Sequence, residues 1–261
     1  MDVVYRELPP PPGLEALVAC AWVSHDGPVR VLPDACVDVV FSGGRLRVAG
    51  PATTAEEARA TPGQHRVGVR FRVGAAGTAL GLPAGELRDL GVGLDELWGR
   101  ATARAIEDRV ARAATPADAL LALIGGLAPR LPAPERADHE VRRAVLALNR
   151  PGSAPDVGAL ARAVALSERQ LRRRFEAAVG YGPATLARIL RFQRFLRLAN
   201  APMPAAAPTS APTAAPSLAR LAADAGYADQ AHLAREVRRL AGLPPSALLA
   251  AGAGPAGEPA A

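Results

Sequence analysis

Two apolar stripes separated by a short break run through residues 156–180, DVGALARAVALSERQLRRRFEAAVG. The first stripe has helical i, i+3, i+4, i+7 spacing and comprises Val157, Leu160, Ala161 and Val164. The second follows Ser167, a good N-cap residue, and comprises Leu171, Phe175, Ala178 and Val179. Two short helices with a tight turn and the small Ala161 at their crossing point predict a helix-turn-helix.

The same arrangement recurs in residues 217–242, SLARLAADAGYADQAHLAREVRRLAG. Ser217 caps a helix with an apolar face, and Ala225-Gly226-Tyr227 supplies the turn. Asp229 caps the next helix, whose apolar side comprises Leu233, Val237 and Leu240. Each unit ends on a glycine, a common helix stop. The chain therefore contains an internal repeat of the helix-turn-helix.

A single helix over 183–200 is predicted between the two units. Its apolar side comprises Leu186, Ile189, Leu190, Phe192 and Phe195, and its basic stripe comprises Arg188, Arg191, Arg194 and Arg197. A helix of about 17 residues is ~25 Å long and could hold the units roughly one DNA turn, ~34 Å, apart. The uncharged Pro/Ala tract at 202–216 is predicted to be a flexible or polyproline-like loop, and the tail at 251–261 is predicted to be disordered.

The basic charge is concentrated in the C-terminal half. The net charge is +6 with no lysine, but residues 1–137 carry 15 arginines against 16 acidic residues. Residues 138–250 carry 16 arginines against 8 acidic residues, a net charge of +8. This asymmetry indicates a module that binds a polyanion, attached to a different part.

The first 130 residues predict a mixed α/β domain with strands at 29–33, 36–41, 45–49 and 67–73 and a hairpin turn at Ser42-Gly43-Gly44. After Gly74 the apolar residues change to helical spacing. The residues that follow this spacing are Leu94, Leu97, Trp98, Ala101, Ala105 and Val110. A further helix opens at Pro116 with Leu120, Leu121, Ile124 and Leu127 on one side. Three prolines at 127–138 indicate a linker, placed at 131–137 with His139 attached to it. The predicted fold class is α+β, with an all-α domain at 138–250.

No catalytic, cofactor or metal site is predicted. The chain has no nucleotide-binding or nucleophile-elbow motif, and Ser24-His25-Asp26 are sequence neighbours that cannot form a relay by themselves. The histidines, including His65 in an expected exposed loop, lack metal-ligand spacing. No stretch is long and apolar enough to span a membrane, and the N-terminus lacks a signal peptide. We therefore expect a cytoplasmic, nucleoid-associated protein.

Several residues of the N-terminal half leave alternatives open. Asp34 and Asp38 could line a ligand cavity, coordinate a cation or lie at a turn and on the solvent face. Trp22 is expected in the core or in a pocket wall. Cys20 and Cys36 are expected to be buried thiols, with a disulfide as the alternative.

The C-terminal half resembles the AraC/XylS-type DNA-binding domain of bacterial regulators. The matching residues are ALARAVALSERQLRRRFEAAVGYGP and SLARLAADAGYADQAHLAREVRRLAGLPPS. The resemblance implies that base-reading positions fall on Arg169, Arg172 and Arg173 in the first unit and on Ala231, His232 and Arg235 in the second. The predicted DNA-binding side chains are Arg169, Gln170, Arg172, Arg173, Gln230, His232 and Arg235. Arg188, Arg238 and Arg239 are predicted to contact phosphates or to pair with acidic residues.

Two departures from that family are visible. Val237 occupies a position usually held by Phe, and the tract at 202–216 is longer than the usual connection. The N-terminal segments LPDACVDVVF, VGVRFRVGAA and LDELWG resemble an uncharacterised domain found ahead of such modules, although Val73 stands where Pro is common. The resemblance implies a sensing or dimerisation role.

The expected partner is double-stranded DNA; RNA polymerase, a small-molecule effector and a second copy are further candidates, whereas a membrane is not. The alternative functions are a small-molecule-binding or catalytic N-terminal domain, or non-specific DNA binding.

Overall fold

The protein has an α+β architecture, with a sheet in the N-terminal part and helices in the C-terminal part. The computed structural model describes residues 5–25, 29–58, 65–133, 138–150, 156–201 and 216–251. Four features predicted above lie wholly or partly outside those residues: Asp26, linker residues 134–137, most of the Pro/Ala tract (202–215), and residues 252–261 of the tail.

The N-terminal part contains a six-stranded antiparallel sheet in the order β1-β2-β7-β4-β5-β8. Its strands are β1 (Tyr5–Leu8), β2 (Val18–His25), β4 (Val37–Ser42), β5 (Arg45–Ala49), β7 (His65–Phe71) and β8 (Gly91–Gly93). Strands β3 (Val29–Val31) and β6 (Glu56–Ala58) pair with each other as a separate ribbon. The four predicted strands correspond to β3, β4, β5 and β7. His65 begins β7 and is therefore not a loop residue, although its side chain is exposed.

Helices cover one face of the sheet and bury Val39, Val69 and Phe71. They are α1 (Ala76–Leu80), α2 (Leu94–Trp98), α3 (Arg100–Ala111) and α4 (Pro116–Leu127). The periodicity between Leu94 and Val110 belongs to two helices, because Gly99 has a φ of +84° and breaks the chain direction there. The prediction for α4 was wrong at one position: Leu123 is fully buried, whereas Leu121 is 67% exposed.

The C-terminal part consists of helices among its described residues. They are α5 (His139–Asn149), α6 (Val157–Ala163), α7 (Glu168–Val179), α8 (Pro183–Asn200), α9 (Leu218–Ala225), α10 (Gln230–Ala241) and α11 (Pro245–Ala250). His139 lies in the first turn of α5, so its assignment to the linker was wrong. The reason is a local cap: the Asp138 carboxylate accepts the Val141 N–H at 2.9 Å and starts the helix there.

The two parts share one apolar core. Leu32, Ala35, Cys36 and Val73 of the N-terminal part are buried in the same cluster as the helices α5 to α11. Both cysteines are buried and free, so the disulfide alternative does not apply. No helix among the described residues is long and apolar enough to cross a membrane.

Candidate nucleic-acid interface

The first helix-turn-helix is built from α6, a tight turn and α7. The turn closes through a hydrogen bond from the Leu166 N–H to the Ala161 carbonyl at 3.0 Å, with Ala165 in the left-handed region at a φ of +56°. Ser167 then caps α7: its hydroxyl accepts the Gln170 N–H at 3.2 Å, and the Gln170 side-chain oxygen accepts the Ser167 N–H at 3.0 Å. This reciprocal cap fixes where α7 begins.

The outward face of α7 presents a group of exposed polar side chains: Arg169, Gln170, Arg172 and Arg173. The opposite face buries Leu171 and Phe175 in the shared core. Arg172 lies 3.7 Å from Glu168, one helical turn earlier. Because both side chains are exposed, this ion pair is weak, and Arg172 can exchange it for another partner. The capping role of Gln170 occupies its side-chain oxygen; the sequence analysis missed this role, although the Ser-x-x-Gln spacing is its signature. Helix α7 therefore presents three guanidinium groups to solvent.

The second unit has the same plan with different details. Its turn closes by a hydrogen bond from the Tyr227 N–H to the Ala222 carbonyl at 2.8 Å, with Gly226 at a φ of +88°. Asp229 caps α10 by accepting the His232 N–H at 2.6 Å. Gln230, Ala231 and Arg235 are exposed. His232 is half-buried, with its ring edge-on to that of Tyr227 at 5.3 Å between centroids. The first two turns of this helix thus offer fewer exposed hydrogen-bonding groups than those of α7.

The basic stripe of α8 is largely engaged within the protein. Arg188 pairs with Glu236 of α10 at 3.0 Å, so of the two roles predicted for it the ion pair is the one observed. Arg191 lies over the Tyr227 ring at 5.5 Å, and Arg194 donates to the Asn149 carbonyl at 2.9 Å. Burial lowers the pKa of Arg194. Arg238 and Arg239 are exposed near the end of α10. The arginines of helix α8 therefore attach it to the second unit and to α5.

One arginine of α7 has a structural role that the sequence analysis missed. The Arg174 guanidinium forms a two-pronged pair with Asp138 at 2.7 and 2.8 Å and also contacts Glu140 at 2.6 Å. Burial opposes ionisation of the Asp138 carboxyl, but the hydrogen bonds from Arg174 and from the Val141 N–H outweigh it and lower the pKa of Asp138. This pair fixes the start of α5 against α7; the acid-x-acid spacing of Asp138 and Glu140 was its only sequence signal.

The N-terminal part holds the C-terminal ends of both recognition helices. At α7, Gly77 approaches so closely that a Cβ there would lie 2.6 Å from the Ala177 carbonyl oxygen, and Arg88 pairs with Glu176 at 2.8 Å. At α10, the Arg30 guanidinium donates to the Ala241 carbonyl at 2.6 Å, and the Ala55 N–H donates to the Leu240 carbonyl at 2.7 Å. The two donors at α10 satisfy backbone carbonyls that the end of a helix leaves without partners. The side chains predicted to read bases lie toward the opposite, N-terminal ends of both helices.

The second face of the sheet, opposite to α3 and α4, carries the aspartates singled out in the sequence. Asp38 and Asp34 both pair with Arg70, at 3.0 and 3.2 Å, and all three line a cavity. Trp22 lies in the wall of that cavity and donates its indole N–H to Asp38 at 3.2 Å. The described residues contain no cluster of three or more side chains able to ligate a metal, although β2 and β7 bring His25 and His65 into contact.

Comparison with known protein families assigns both parts. Residues 160–251 match a helix-turn-helix domain, and residues 6–92 match a domain of unknown function (DUF6597). A search of curated proteins finds no match. The helix-turn-helix match begins inside α6 and contains the rest of the first unit and all of the second, and the other match contains most of the sheet. Residues 160–251 therefore form an AraC-type helix-turn-helix domain, which supports a DNA-binding transcription regulator, and the N-terminal part carries a domain of unknown function.

Proposed function

We propose that the protein reads a specific DNA sequence with both units, placing α7 and α10 in successive major grooves while α8 sets their separation. One observation supports the proposal above all. Helices α7 and α10 each expose a polar face, and their apolar faces are buried in the same core. Because Leu171, Leu190 and Leu233 are buried in the same cluster, the core holds α7, α8 and α10 together. A fixed separation is what recognition of two blocks on one duplex requires.

Base reading is assigned to polar side chains of the two helices, of which all but the half-buried His232 are exposed: Arg169, Gln170, Arg172, Arg173, Gln230, His232 and Arg235. An arginine can donate two hydrogen bonds to a guanine edge, a contact worth ~1–3 kcal/mol of discrimination. Arg238 and Arg239 are assigned to phosphates, because backbone contacts account for most protein–DNA hydrogen bonds. Arg188 is assigned to the ion pair with Glu236.

The test is selection of binding sites by the full chain from a random duplex library at ~150 mM salt, within the range where phosphate contacts alone give weak binding. Two enriched blocks about one helical turn apart support reading by both units. One block means that α10 contacts backbone only, and no enrichment with strongly salt-dependent binding identifies a non-specific binder.

Arg172→Ala provides the matched variant. We expect it to lose base preference at one position of the first block while the chain stays folded. Arg109→Ala is the control, because Arg109 is also exposed and carries the same charge but lies on α3 in the N-terminal part. Equal loss in both variants would show that only net charge matters.

A further inference from the structure

A cavity of about 450 Å³ lies between the second face of the sheet, the β3–β6 ribbon and helix α8. This volume falls within the range of sites that bind small molecules. Cross-strand pairing places Ser24 beside Arg66, Trp22 beside Gly68 and Val40 beside Gly68, so these side chains share that face. The Trp22 ring lies where a Cβ of Gly68 would be, which keeps the ring flat against the sheet. Val40, Leu90 and Leu196 add apolar walls.

Two arginines of β7 line this cavity, and they differ in how many carboxylates lie beside them. Arg70 is surrounded by carboxylates, at 3.0 Å from Asp38, 3.2 Å from Asp34 and 3.4 Å from Glu7. Arg66 has no carboxylate within 4.0 Å among the described residues, although it is only 7% exposed. Its Nη2 donates to the Ser24 hydroxyl at 3.2 Å, and its Nε has no partner among those residues. An unpaired buried guanidinium is costly to maintain, which points to an anion that completes the site.

A second unpaired group lines the same cavity from helix α8. Gln193 is fully buried; its side-chain N–H donates to the Pro33 carbonyl at 2.6 Å, while its oxygen accepts no hydrogen bond from the described part of the chain. A ligand in this cavity would therefore meet one free donor on the sheet, Arg66, and one free acceptor on α8, Gln193. The apolar walls between them suit a hydrocarbon body.

The elements around the cavity are also those that hold the DNA-reading helices. Arg30 of β3 lines the cavity, pairs with Glu57 at 3.0 Å and caps the end of α10 through the Ala241 carbonyl. Gln193 and Leu196 belong to α8, which connects the two units. An occupant that contacts Arg66 and Gln193 would therefore act on the relative placement of α7 and α10.

We propose that this cavity binds a small hydroxy carboxylic acid, with its carboxylate on Arg66 and its hydroxyl donating to Gln193, and that binding changes the affinity for DNA. The binding site itself does not depend on sequence-specific reading; the effect on DNA rests on the proposed function. Arg66 suits a carboxylate because its planar fork can donate two parallel hydrogen bonds to the two oxygens.

The first experiment measures thermal unfolding of the full chain with 4-hydroxybenzoate and 6-hydroxyhexanoate, two acids of different length. The controls are 4-hydroxybenzamide and 4-hydroxybenzylamine, which lack the negative charge. At a concentration about 100 times the Kd, a ligand that binds only the folded chain should raise Tm by several degrees. We expect this rise with at least one acid and with neither control. No rise with either acid, or a rise with the amine alone, would overturn the assignment of an acid site.

Arg66→Gln and Arg109→Gln form the matched pair of variants. Removing an unpaired buried charge should leave Arg66→Gln folded, with a cooperative transition, but without the acid-induced rise. Arg109→Gln should keep the full rise. Arg66→Lys, which keeps the charge but loses the fork, should retain a smaller rise. A full rise in Arg66→Gln would show that the acid binds elsewhere.

A second measurement separates the site from the DNA-binding function. The enriched duplex is titrated with and without the acid, and an at least several-fold change in Kd is expected for the wild-type chain but not for Arg66→Gln. If the acid raises Tm but the chain binds no DNA, the ligand site stands and the proposed function is rejected. DNA binding that never responds to a bound acid would overturn the coupling.

Discussion

The two helix-turn-helix units share a plan but differ in where their polar groups are directed. In the first unit, three arginines of α7 face solvent and its turn contains Ala165 at a positive φ. In the second, Gly226 takes the equivalent position, and His232 and Glu236 of α10 contact other parts of the protein. Over its first two turns α7 thus exposes three arginines, whereas α10 exposes one there and places Arg238 and Arg239 nearer its C-terminal end. Two motifs with the same plan can therefore present their arginines at different points along the second helix.

The largest expected difference between the units concerns their cores. Phe175 and Val237 each lie eight residues after the N-cap residue and are fully buried. Phe175→Ala should lower the free energy of unfolding by ~3–5 kcal/mol, and Val237→Ala by roughly 2 kcal/mol, because fewer buried methylenes are removed. Urea denaturation of both variants checks the prediction. Equal losses would mean that neighbouring side chains leave a cavity of similar size at both positions.

The next difference concerns DNA binding. Arg172→Ala should cost ~1–3 kcal/mol of binding free energy on the selected duplex, and Arg235→Ala less, because α10 presents one exposed arginine at its reading positions. Fluorescence anisotropy with the wild-type duplex and with duplexes altered in each block measures both effects. A larger loss from Arg235→Ala would contradict this ranking of the two helices.

The smallest difference concerns the two turns. Gly226→Ala should destabilise the chain by ~1–2 kcal/mol, because alanine disfavours a positive φ. Space is not the cause, since the new Cβ would meet only the Arg194 guanidinium at 3.9 Å. Ala165→Gly should stabilise by less than about 1 kcal/mol, because relief of the left-handed alanine is partly offset by glycine's greater freedom when unfolded. The urea midpoints of the two variants should move in opposite directions, with unchanged slopes; movement in the same direction contradicts this account.

The helical half was easier to predict from sequence than the sheet. Helices α7, α8 and α10 span the residues that the apolar stripes indicate, because their periodicity and caps are local. Strand β2 was missed because VACAWVSH lies inside the sheet and is apolar on both faces, so it does not alternate clearly. The pairing of Arg70 with Asp34 and Asp38 depends on β7 entering between β2 and β4, a long-range event without a local signal. The cavity and the isolation of Arg66 were hidden for the same reason.

The shared core has a consequence for engineering this protein. Because Leu32, Cys36 and Val73 fill the helical core and Arg30 caps α10, the DNA-reading half is not a detachable module. A chimaera that grafts residues 138–251 onto another sensor would expose the apolar surface that these residues cover. Transfer of the DNA specificity to a new sensor should therefore proceed by exchanging the exposed side chains of α7 and α10 within the intact chain.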